Sequence, residues 1–158
     1  MANKPPTVDE VVMAFDCRHE SDTGRNQILL HRKYDLDLLV PYYIKAFPRI
    51  KNWIGRKYIM FWVQRYARKN ADVVKLARFA LKDKSWKVRY DACGTLAYAL
   101  DTESLPLLRD LLNHKNKETR GDAAAAIDAI ENKNHHFFYD REHDGNIFWN
   151  PGGDETQS

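Results

Sequence analysis

Residues 81–96, LKDKSWKVRYDACGTL, and residues 112–127, LNHKNKETRGDAAAAI, align without a gap at a spacing of 31. Leu81, Val88, Arg89, Asp91, Ala92 and Leu96 fall on Leu112, Thr119, Arg120, Asp122, Ala123 and Ile127. A fainter copy lies 33 residues upstream, where Pro48, Arg56, Ile59 and Val63 take the places of Leu81, Arg89, Ala92 and Leu96. Repeats of this period build one helical hairpin per copy, and the hairpins bury their apolar faces by stacking on one another. The expected fold is all-α, a short α-solenoid of three helical hairpins spanning 35–131.

Outward from the repeat, capping signals mark the helix starts. Ser85, Thr102 and Asn116 predict helices over 86–100, 103–113 and 117–131. Apolar residues three and four apart predict further helices over 70–83, 52–69 and 35–47, the last carrying Pro41, which removes one backbone donor. Thr7 and Glu10 form a capping box for a first helix with Val8, Val11, Val12 and Phe15 on one face, and the polar stretch 16–25, with Ser21, Asp22 and Gly24, reads as a loop. From Asn134 the composition turns aromatic. His135–Tyr139 and Ile147–Trp149 read as two extended arms around Asp144-Gly145, a hairpin-like cap for the exposed end of the stack. One domain is expected over 1–158, with 1–34 as N-terminal helix and loop and 132–158 as cap and tail.

Composition narrows the class. At 158 residues, 44% apolar and 30% charged, the chain reads as a globular protein rather than a disordered one. No apolar run approaches the roughly 18 residues that span a bilayer, and the start lacks a leader pattern, so a cytoplasmic protein with no membrane partner is expected. Cys17 and Cys93 stand far apart and predict two reduced thiols. The net charge of +3 conceals a segregation: Pro41 to Tyr90 carries fourteen Lys and Arg against two Asp, or +12, whereas Asp91 onward carries −7. Such a block usually faces a partner of opposite sign.

No catalytic motif is present: no G-x-S-x-G, P-loop, G-x-G-x-x-G or HExxH. No enzyme activity, cofactor or metal site is therefore expected. The turn from Asp140 matches half a calcium loop, with Glu142, Asp144 and Gly145 at the right offsets, but Pro151 stands where the bidentate Glu belongs.

The block 81–130 resembles the HEAT repeat family, in which an Asp in the turn pairs with an Arg opening the second helix. Asp83 and Arg89 match that pair; Arg120 and Arg56 match the Arg, but His114 and Ile50 replace the Asp. The tail Asp140, Arg141, His143, Gly145 fits a D-R-x-H-x-G form, and the layout is similar to small bacterial HEAT-repeat proteins, some of immunity-protein type. The resemblance implies a non-enzymatic protein-binding module, in its sharpest form an inhibitor that occludes a cognate toxin or enzyme. It also admits a nucleic-acid binder, similar in fold to the HEAT-like alkylpurine DNA glycosylases.

The alignment singles out a candidate site. Trp53 and Trp86 are equivalent, each opening the second helix of its hairpin, as are Lys57 and Tyr90. With Lys51 and Lys87 beside them they interleave aromatic and basic groups, a pattern that grips acidic side chains of a protein partner or stacks on bases. Lys51, Trp53, Lys57, Trp86, Lys87 and Tyr90 are the expected contact residues.

Overall fold

A computed structural model describes residues 4–145 and 151. Among them are eight α-helices and no strand: α1 (Val8–Phe15), α2 (Glu20–Lys33), α3 (Leu36–Ala46), α4 (Trp53–Val63), α5 (Ala71–Ala80), α6 (Trp86–Ala99), α7 (Leu105–Leu111) and α8 (Lys117–Glu131). The helices pair as the repeat period predicts, and the chain resolves into two compact units, Met1–Val63 and Gln64–Ser158.

In the first unit, α1 and α2 form a hairpin that the sequence reading misses. Glu20–Lys33 is helical where a loop was expected at 16–25. The polar residues of α2 are mostly its solvent face, while Thr23, Leu30 and the following Tyr34 are buried. A Cβ at Gly24 would make ordinary contact with the Tyr58 hydroxyl at 3.4 Å. Phe15 and Tyr43 meet edge to face at 5.2 Å in the core. Gly55 lets α4 press onto the end of α1, since a Cβ there would lie 2.2 Å from the Phe15 carbonyl oxygen. Pro41 lies inside α3 and exposed, so its missing donor interrupts one bond without ending the helix.

In the second unit, α5–α6 and α7–α8 are successive hairpins, and α6 is buried from Asp91 to Tyr98. Asn70 caps α5 by accepting the Asp72 amide. Thr102 does not cap the next helix; it opens a 3₁₀ turn, Thr102–Ser104, that follows Asp101 and leads into α7. Leu100 and Lys133, 33 apart, both take the left-handed conformation past a helix end (φ 51° and 52°). Behind them the Asp101 and Asn134 amides donate back to Leu96 and Ala129 carbonyls, a matched Schellman-type closure.

That match corrects the cap. His135–Phe138 is a 3₁₀ turn, capped by the Asn134 side chain at the His136 amide, and not an extended arm. Asn70, Asp101 and Asn134 stand at the same register, so the segment begins like another hairpin and stops after one turn. The second expected arm, at 147–149, lies outside the described residues. Phe138 is buried against Tyr90 and close to Gly94, and Arg141 bonds the Asp122 carboxylate at 3.0 Å.

Candidate partner-binding site

Each turn that opens a second helix is held by an arginine acting on backbone. Arg89 Nη1 donates to the Asp83 and Lys84 carbonyls at 2.7 and 3.1 Å. Arg120 Nη1 does the same to His114 and Lys115 at 2.8 and 3.1 Å, and Arg56 Nη1 to Ile50 and Lys51 at 3.0 and 2.7 Å. The acceptors sit six and five residues before the arginine each time. Because carbonyls are independent of side-chain identity, the clamp survives where Ile50 and His114 replace the turn Asp. The Asp83 carboxylate accepts the Ser85 amide at 2.9 Å.

The clamped turns carry the candidate residues. In the first unit, Asp16 Oδ1 accepts the Lys51 and Asn52 amides at 3.1 and 2.9 Å, and Asn52 Oδ1 accepts the Ile54 amide. With Arg56 on the carbonyl side, the turn that presents Lys51 and Trp53 is fixed through both its donors and its acceptors. Lys51 is exposed; Trp53 and Lys57 are half-buried.

In the second unit, Trp86 is the first residue of α6 and 39% exposed. Lys84 and Lys87 beside it are exposed, and the Lys87 ammonium lies 5.9 Å from the Trp86 ring centroid. Tyr90 is placed differently: half-buried, its ring 5.4 Å from Phe138, with burial pushing its hydroxyl pKa up. It supports the cap more than it faces solvent.

Sequence reasoning missed Lys115 and Lys117, although the 31-residue spacing maps Lys84 and Trp86 onto them. Arg89 Nε donates to Thr119 Oγ1 at 2.9 Å, which brings the start of α8 beside the start of α6. Lys84, Trp86, Lys87, Lys115 and Lys117 are each exposed at or just before the starts of these two helices. The positive charge here is felt by His114, whose pKa is lowered first by desolvation and then by the charges of Arg89, Lys115 and Arg120. Neither α4 nor α6 has an acidic residue in its first turn. Cations at a helix N-terminus oppose the macrodipole by roughly 0.3–1 kcal/mol each, so Lys87 stands where helix stability disfavours it.

Other groups are accounted for locally. Both Asp140 carboxylate oxygens are engaged, by the Asp144 and Gly145 amides at 2.9 Å each, so the half calcium loop folds onto its own backbone. No group of three or more metal-ligating side chains occurs among the described residues. Cys17 and Cys93 are free thiols; burial pushes that of Cys93 up, away from the reactive thiolate. No helix among the described residues is long and apolar enough to cross a membrane.

The paired helices, the recurring arginine at the head of each second helix and the matched helix ends define the repeat type. Residues 65–135 match the family model for HEAT repeats. The HEAT segment thus covers both hairpins of the second unit, α5 to α8, and includes Trp86, Lys87 and Tyr90; Lys51, Trp53 and Lys57 lie outside it. No curated protein and no solved structure matches the chain. HEAT repeats are in general protein-interaction modules and scaffolds rather than catalysts.

Proposed function

We propose that this protein is a non-enzymatic protein-binding module whose basic, tryptophan-bearing edge grips an acidic surface, and that it acts by occluding a cognate toxin or enzyme. The observation that carries the reading is Trp86, an exposed aromatic at the start of α6 with exposed Lys84 and Lys87 beside it in the chain, the Lys87 ammonium 5.9 Å from its ring; exposed Lys115 and Lys117 at the start of α8 extend the same chemistry. Desolvating a tryptophan anchor supplies affinity, while the lysines steer an anionic partner and fix its register. The equivalent Lys51, Trp53 and Lys57 of the first unit add a second contact of the same chemistry, and Tyr90 braces the edge from beneath. A cytoplasmic partner fits the reduced thiols expected of Cys17 and Cys93.

Pull-down of the tagged protein from its native lysate, with and without nuclease, tests this when run beside Trp86→Ala. The expected result is one stoichiometric protein retained after nuclease and weakened by Trp86→Ala by about 2 kcal/mol or more, with the far-ultraviolet spectrum unchanged and the variant fully folded at the assay temperature. Equal retention by Trp86→Ala refutes the edge. Retention that disappears with nuclease, and that falls steeply with salt, transfers the edge to nucleic acid.

A further inference from the structure

We propose that the solvent face of the α1–α2 hairpin is where a second copy of this chain docks, forming a weak two-fold dimer. A groove runs between the two helices, with Met13 on one wall and Leu29 on the other, 78% and 54% exposed. Exposed apolar side chains facing one another across a groove and rimmed by charged residues have the pattern of an interaction surface.

The charges around the groove select the occupant. Glu10 pairs with Lys33 at 3.1 Å at one end, and Asp22 pairs with Arg25 at 2.5 Å toward the other. Asp22, Leu29 and Lys33 are seven and four residues apart on α2 and share a stripe. When α2 packs antiparallel on its symmetry copy, Lys33 of each protomer comes opposite Asp22 of the other, with Leu29 and Met13 between. An isologous contact makes both pairs at once. The four charges that flank the groove cancel, whereas 41–90 carries +12. The face carries no net charge from these pairs, so it meets a second copy of itself without like-charge contact and suits that copy better than a strongly charged partner.

The size of the face sets the strength. α2 has 14 residues, so it is about 21 Å long, and two helices side by side are about 20 Å wide. The contact buries about 400 Å² on each copy, below the roughly 600–1,000 Å² per partner of stable complexes. Dissociation on the order of 100 µM follows for so small a patch.

Sedimentation velocity from about 5 µM to about 1 mM tests the proposal. The expected weight-average mass rises from 18.5 kDa toward twice that value. Met13→Glu with Leu29→Glu stays monomeric throughout, with an unchanged far-ultraviolet spectrum. Asp22→Lys and Lys33→Asp each weaken association at least tenfold, and the two together restore it, because the swapped charges again meet across the two-fold. A wild-type protein that remains monomeric overturns the proposal. So does association that survives the double glutamate variant, or a charge swap that fails to restore it.

Discussion

At one register of the repeat the chain places three different residues, Gly55 in α4, Val88 in α6 and Thr119 in α8, each directly before a clamp arginine. In the first unit the position is closed by backbone: the Phe15 carbonyl lies where a Cβ of residue 55 would be. In the second unit Val88 fills it with a buried side chain, and Thr119 turns it into an acceptor for Arg89. The clamp itself, arginine onto two carbonyls, is the same in all three. The comparison teaches that the backbone-directed part of the repeat is constant, while the packing beside it is negotiated separately by each unit.

Substitutions at this register break the comparison most strongly. Gly55→Ala has no flexible neighbour to displace and should destabilise by about 3 kcal/mol or more, read as a lower urea midpoint, whereas Val88→Ala loses a smaller buried volume and costs about 2 kcal/mol. Arg89→Ala leaves two turn carbonyls and the Thr119 hydroxyl without their donor and should cost about 2–3 kcal/mol. Arg120→Ala, with the same carbonyl bonds at an exposed site, should cost less than about 1 kcal/mol, because water replaces the lost donor. Arg89→Lys sharpens the point, since an ammonium keeps the charge but not the fork that reaches carbonyls and hydroxyl together.

The cap offers a contrast in pH. Asp122 has its pKa raised, first by burial, with the Arg141 bond pulling it down. A carboxyl raised in the folded state binds its proton there before the unfolded chain does, so the fold gains stability as pH falls through that raised value. Arg141→Gln removes the opposing cation and should cost about 2 kcal/mol at pH 7, a deficit that shrinks in thermal melts as the pH falls toward the raised Asp122 value. Asp140 runs the other way. Burial pushes its carboxyl up, but the Asp144 and Gly145 amides outweigh burial and hold it below its ordinary value. Its contribution is present above the ordinary carboxylate pKa and is lost as pH falls, so Asp140→Asn should flatten the acid limb of the melt profile. Trp86→Ala removes a ring that is 39% exposed and should destabilise by about 1–2 kcal/mol. The half-buried Trp53 should cost more on the same change, and equal effects would erase the distinction between the two tryptophans.

Much of this was legible in the residues. The 31-residue alignment fixes α6 and α8 and their arginines, because each copy solves the same capping and packing problem locally. Thr7 and Asn116 are read correctly as caps, since each side chain bonds an amide three residues on, whereas Ser85, also expected to cap, makes no side-chain capping bond. α2 was hidden because it buries only Thr23 and Leu30, too few to give a helical apolar period through its polar surface. The candidate site was half legible: Trp86 and Lys87 are picked out by their repeat positions, and the same spacing points to Lys115 and Lys117, but the Arg89–Thr119 bond that ties the starts of α6 and α8 together joins residues 30 apart in sequence.

By itself the sequence determined the period, the hairpin order, the charge segregation and the positions of the clamp arginines, all properties carried by residues near one another in the chain. Tertiary structure alone decided which arginine is buried, which tryptophan is open to solvent, why residue 55 must be glycine and how Asp122 comes to be neutralised by Arg141. Each of these depends on which distant backbone or side chain arrives beside the residue, and burial and desolvation are set by that arrival rather than by local spacing.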